Sequence, residues 1–132
     1  MVDREPRVSK YKSRGGMRRI LAAFLYSMQG LRTAWKSEYA FRQEVLVAIP
    51  AALLALMLPV TPLEKLALTA VLLLVLIVEL VNSAIEAVVD RISFDTHPLS
   101  KNAKDFGSAA VCLTLVLAAA TWGVILFPLV FG

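Results

Sequence analysis

The sequence predicts an all-α membrane protein: three transmembrane helices, preceded by one amphipathic helix lying on the membrane surface. Three observations predict it. Apolar runs of roughly spanning length recur at 45–60, 66–78 and beyond residue 103. Hydrophobic residues make up 58% of the 132, and mean hydropathy is +0.70, more than a soluble domain of this size carries. Positive charge is uneven: ten of the fourteen Lys and Arg lie within residues 1–42. That asymmetry marks a chain with one end held at one membrane face. The one cysteine, Cys112, sits in an apolar run, which excludes a disulfide framework or a cysteine metal site. The charged N-terminus shows no cleavable signal peptide.

Residues 1–16 (MVDREPRVSKYKSRGG) are polar and basic and are expected to form a disordered cytoplasmic tail. The membrane domain then occupies 17–132. Within 17–38, Ile20, Leu21, Phe24, Leu25, Met28, Leu31 and Trp35 share one helical arc of about 140°. Arg19, Gln29, Thr33, Lys36 and Ser37 take the other side. Such a helix lies in the bilayer surface with Trp35 at headgroup depth. The polar stretch Glu38–Glu44 (EYAFRQE) leads into a first span at about 40–60. This span contains Pro50, which either kinks it or marks its first turns. A second span at about 63–92 opens after Pro62, with Glu64 suited to a helix N-terminus. A loop, Ser93–Asn102, is broken by Pro98. The third span, about 103–131, begins with Lys104, Asp105 and the small residues Gly107, Ser108, Ala109 and Ala110, which permit close helix approach. No internal repeat is evident.

The second span carries the most informative stretch, Glu79–Asp90 (ELVNSAIEAVVD). Glu79, Asn82, Ser83, Glu86 and Asp90 fall within a stripe roughly 100° wide, and the rest of that helix is apolar. A carboxylate at a bilayer centre costs about 2.5–3.5 kcal/mol, so acids in such a helix are functional candidates. Counting from Leu66, Glu79 lies within about 10 Å of the far interface, and Glu86 and Asp90 reach headgroups or water. The stripe is therefore at the membrane boundary, which disfavours a channel or mid-membrane proton relay. The loop near residue 62 holds Lys65 alone, whereas that near residue 97 is flanked by Arg91, Lys101 and Lys104. The N-terminus and the acidic stripe are thus expected on the cytoplasmic side, with the first loop and the C-terminus outside.

At that surface Glu38 and Glu86 can hold Mg²⁺, which one or two carboxylates plus substrate phosphates usually bind. Glu79, the most buried acid, suits general-base work. Lys104 and the basic surface helix can neutralise phosphates. These are the parts of phosphoryl transfer. No Walker A, kinase Gly-rich loop or HRD/DFG element accompanies them, so the residues alone leave a membrane enzyme and a membrane binder both open.

Glu79–Asp90 fits the pattern E-x-[LIVM]-N-[ST]-[SA]-[LIV]-E-x-x-[VTI]-D at every defined position. With Gly30–Trp35 (GLRTAW), Glu38–Glu44 and Ala103–Val111 (AKDFGSAAV), the chain over about 18–132 resembles the prokaryotic diacylglycerol kinase family of small integral-membrane lipid kinases. The resemblance implies a homotrimeric bundle in the bacterial inner membrane, with active sites between subunits at the cytoplasmic face. It implies Mg-ATP and diacylglycerol as substrates. It makes Glu79 the base on the lipid hydroxyl, Asn82 its support, and Glu38 and Glu86 the metal ligands. For ATP it implies Tyr26, Glu38, Glu86, Asp95, Thr96, His97, Lys104 and Asp105. For the lipid it implies Arg19, Phe24, Met28, Gln29, Arg32, Trp35, Ala40, Phe41, Arg42, Gln43, Glu44, Glu79 and Ser108. An undecaprenol kinase of the same fold is the alternative, and a non-catalytic bundle or cation-binding transporter a remoter one.

Overall fold

The computed structural model describes residues 15–132. The basic tail expected over 1–16 lies outside them, apart from Gly15 and Gly16. Four helices follow in order: α1 Met17–Ser37, α2 Tyr39–Met57, α3 Pro62–Ile92 and α4 Pro98–Phe131. No strand occurs among the described residues. The last three helices are each long and apolar enough to cross a membrane. The all-helical class and the multi-pass character expected from the sequence are both found.

The apolar face of α1, from Ile20 to Trp35, is exposed, and only Ala34 is buried. An amphipathic helix whose apolar side is left mostly uncovered by its own chain suits a lipid surface. It ends abruptly. Glu38 is extended (φ −105°, ψ 104°) and serves as both the C-cap of α1 and the N-cap of α2. The elbow is clamped by Arg42, whose Nη1 donates to the carbonyls of Trp35 (3.0 Å) and Lys36 (2.9 Å). Those carbonyls are among the groups a helix C-terminus leaves without partners. The guanidinium also lies 5.7 Å from the centroid of the Tyr39 ring.

Starting at Tyr39 gives α2 19 residues, about 28 Å of helix, near a bilayer's hydrocarbon thickness. Pro50 sits well inside it, so it does not mark the first turns. The helix continues through it. Lys65 Nζ caps the C-terminus of α2 by donating to the Leu56 carbonyl at 2.8 Å. Thr61 and Glu64 then start α3 with a capping box. The Glu64 N–H donates to Thr61 Oγ1 (3.2 Å), and the Thr61 N–H to Glu64 Oε2 (3.0 Å), with Pro62 at the first helical position.

The central element is α3, packed against both α2 and α4. At 31 residues it is about 46 Å long, well beyond the hydrocarbon thickness, so its last turns leave the apolar layer. Its buried residues are Leu68, Val75, Glu79, Asn82 and Val89. Their spacings of seven, four, three and seven trace a heptad seam. Glu79 and Asn82 therefore occupy packing positions that apolar residues fill elsewhere along the helix.

α4 begins at Pro98, five residues before the expected start. His97 is its N-cap, with Nδ1 accepting from the Leu99 N–H at 3.1 Å, and Pro98 needs no N–H at the first position. Further along, Trp122 Nε1 donates to the Leu68 carbonyl at 3.2 Å, tying α4 to α3. Near the other end Gly107 is buried directly on Asn82. A Cβ at 107 would overlap Asn82 Oδ1 and lie 3.3 Å from its Cγ. Alanine there would raise helix propensity by about 1 kcal/mol, yet it would have to push the amide aside. Gly107→Ala is expected to fold and to lower turnover by about tenfold or more, since small misplacements at a reacting centre are costly. Steady-state kinetics beside a thermal melt checks this.

Candidate active site

Four acids converge at the boundary end of α3. Glu79 and Asn82 are 5% and 8% exposed. The carboxyl of Glu44, on α2, stands within hydrogen-bonding reach of Glu79. Glu38, at the α1–α2 elbow, and Glu86, two turns along α3, lie within electrostatic range of Glu79. Asn82 Nδ2 donates to Glu86 Oε1 at 3.4 Å, a long bond that orients the carboxylate more than it binds it. Elbow, α2 and α3 thus each contribute acids to one cluster.

The same place holds unmet hydrogen-bonding capacity. Glu44 Oε2, Asn82 Oδ1 and Ser83 Oγ are buried without a partner. Each such group costs about 1–3 kcal/mol if left dry and unpaired; Glu44 borders the slot between α2 and α4, Ser83 the cavity between α1 and α3, and Asn82 Oδ1 lies against Gly107. Among the described residues no three Asp, Glu, His or Cys side chains are grouped to hold a metal alone. Glu38 and Glu86, each within electrostatic range of Glu79, are the carboxylates that could hold a cation arriving already bound to phosphates.

Two apolar cavities open on the cluster. One, about 380 Å³, runs between α2, α3 and α4 from Gln43 and Glu44, past Ala48, Ala51, Leu72 and Val75, to Trp122. Trp122 is bonded at the level of Leu68, eleven residues from Glu79 and so about 16 Å along the helix. The second, about 630 Å³, lies between α1 and α3 and is lined by Gly30, Leu31, Ala34, Glu38, Leu80, Ser83 and Ala84, among others.

Beyond Glu86 is a polar cleft of about 300 Å³. It is lined by Asp90, Ser93, Asp95, Thr96, His97, Lys101, Lys104 and Asp105, with Val89, Phe94 and Ser100. The loop and α4 candidates for the nucleotide are therefore brought together. Within the cleft Lys104 Nζ pairs with Asp90 Oδ1 at 2.7 Å, Lys101 with Asp105 at 2.5 Å, and the Asp95 N–H donates to Ser93 Oγ at 3.0 Å. Capping occupies Nδ1 of His97 and leaves Nε2 for a ligand. Tyr26, on α1, does not line this cleft, nor do Glu38 and Glu86.

The lipid candidates divide. Gln43 and Glu44 line the α2–α4 slot. Phe41 is buried, and Arg42 is engaged in capping α1. Arg19, Phe24, Met28, Gln29, Arg32, Trp35, Ala40 and Ser108 are exposed and line none of these three cavities. Sequence reasoning missed the meeting of Glu44 with Glu79, the pairing of Asp90 with Lys104, and the seating of Gly107 on Asn82. Each depends on the register between two helices. The only sequence signals were a charged residue beside an apolar run and a glycine inside a helical pattern.

Fold and site together define a small helical membrane protein with an acidic cluster between apolar slots and a polar cleft. The chain belongs to the prokaryotic diacylglycerol kinase family, whose profile matches residues 25–126. A diacylglycerol kinase of Pseudomonas aeruginosa is 50% identical over 118 residues, which is 89% of this chain and 96% of that protein. One from Escherichia coli is 47% identical over 112 residues, 85% of this chain and 92% of its own length. A third, from Haemophilus influenzae, is 43% identical over 112 residues, again 85% of this chain and 95% of that protein.

Proposed function

We propose that this chain transfers the γ-phosphoryl group of Mg-ATP to the hydroxyl of 1,2-diacylglycerol, giving phosphatidic acid, at the cytoplasmic face of a bacterial inner membrane. The observation that carries the reading is the position of the acid cluster. It lies at the mouths of two apolar cavities on one side and next to the Asp90–Lys104 cleft on the other. An amphiphilic acceptor and a water-soluble donor can meet only at such a boundary. Membership of the family, and relatives that are named diacylglycerol kinases, support the substrate pair.

In this reading the acyl chains enter the apolar slots and leave the glycerol hydroxyl at Glu79. Glu79 accepts the hydroxyl proton as the oxygen attacks phosphorus, and Glu44 beside it shares the load. Asn82 holds Glu86 in place. Glu38 and Glu86 hold the Mg²⁺ of Mg-ATP, which neutralises charge on the transferring phosphates. Lys104, Asp95, Thr96 and His97 receive the nucleotide. The working form is a homotrimer with each site completed by a neighbour. The side with Arg91, Lys101 and Lys104 is cytoplasmic by the positive-inside rule.

Purified protein in mixed micelles with diacylglycerol and ATP is expected to form phosphatidic acid and ADP in equal amounts. EDTA is expected to abolish both, and added Mg²⁺ to restore them. ADP formation without a phosphorylated lipid would overturn the proposal.

A further inference from the structure

We propose that Asp90 is a positioning residue for nucleotide use: it fixes Lys104 with one ammonium donor spent on the carboxylate and the other two presented to phosphate oxygens. The inference rests on the kinase reading and deepens it. Asp90 ends the polar stripe of α3, one helical turn beyond Glu86, and the mechanism above gives it no task. Its Oδ1 lies 2.7 Å from Lys104 Nζ, the distance of a charge-assisted hydrogen bond. Lys104 is also within electrostatic range of Glu86, the proposed metal ligand. The pair therefore stands between the metal-binding acid and the cleft that carries Asp95, Thr96 and His97.

Both side chains of the pair are 43% exposed. An ion pair that wet adds little to stability, so a staple between α3 and α4 accounts poorly for it. Its stronger effect is on Lys104 itself. A lysine ammonium is a flexible point charge with three donors, and holding it still before a ligand arrives removes an entropic cost from binding. The other cation of the cleft, Lys101, is paired with Asp105 on its own helix. That leaves Lys104 as the ammonium held across the cleft toward the acids.

The test is a double-mutant cycle on the full-length protein in mixed micelles. It reads KM for Mg-ATP, KM for diacylglycerol, and the affinity for a non-hydrolysable Mg-ATP analogue. Asp90→Ala is expected to weaken analogue binding and raise KM for Mg-ATP by about tenfold. KM for diacylglycerol stays unchanged, and Asp90→Glu restores most of the loss. In a Lys104→Met background, Asp90→Ala adds nothing further. Asp90→Asn, which keeps the volume, is read beside the alanine variant so that poor folding of the latter does not decide the outcome. Three results would overturn the proposal: the same penalty with and without Lys104, equal losses for both substrates, or tighter nucleotide binding by the Asp90 variants. A folded wild-type protein that phosphorylates no lipid overturns the kinase reading itself. A wild type that is active while its Asp90 variants behave as wild type overturns the role of Asp90 alone.

Discussion

Glu79→Gln is expected to lower kcat by about 10²–10⁴-fold, the usual contribution of a positioned general base, with little change in melting temperature. The reasoning is local. Glu79 occupies a packing position on the α3 seam, 5% exposed, where a side chain of the same size keeps the helices in register. A glutamine amide can donate to Glu44, so the contact across α2 and α3 survives. What disappears is the ability to take a proton from a hydroxyl. Loss of kcat with both KM values near wild type would show that Glu79 acts in the transition state and not in binding. Wild-type turnover in the glutamine variant would remove it as the base and shift that task to Glu44, the carboxyl within hydrogen-bonding reach of it.

Glu86→Ala is expected to raise KM for Mg-ATP by about 10–100-fold, to be partly rescued by high Mg²⁺, and to leave KM for the lipid nearly unchanged. Truncation removes a carboxylate that faces the cluster and also frees Asn82 Nδ2 from its partner. With Asn82 Oδ1 already unpaired, the amide loses its hydrogen bond to Glu86, and some loss of kcat should accompany the change. Steady-state kinetics over a Mg²⁺ series checks it. An unchanged Mg²⁺ dependence would remove Glu86 as a ligand for the metal.

The parts of this structure that depend on one helix at a time were legible in the sequence. Apolar runs gave the three spans. The 100° period gave both the amphipathic face of α1 and the stripe from Glu79 to Asp90. Pro62 with Glu64 marked the start of α3, where the capping box is found. Where a local signal was ambiguous, the reading slipped. Pro98 reads in the sequence as a loop breaker, although Pro just after a capping residue equally opens a helix, and His97 does cap α4. Arg42 is a lipid candidate by the resemblance alone, and its capping of the free carbonyls at the end of α1 is a task no local signal announces.

What was not legible depends on how two helices are phased. Glu44 lies on α2 and Glu79 on α3, and only the packing of those helices decides that their carboxyls meet. The same holds for Trp122 on Leu68, Gly107 on Asn82 and Lys104 on Asp90. The stripe named Glu79, Asn82 and Glu86. It could not show that Glu44 belongs with them, or that Asp90 faces a lysine instead of solvent.

The most direct test of the central claim is transfer of a labelled γ-phosphoryl group from ATP by the purified protein in mixed micelles, with diacylglycerol and undecaprenol offered together. The account predicts label in phosphatidic acid, little in undecaprenyl phosphate, and loss of both on Glu79→Gln. Label mainly on undecaprenol would keep the acid cluster and its chemistry but contradict the assigned acceptor. No labelled lipid from a folded, membrane-embedded protein would contradict the account as a whole.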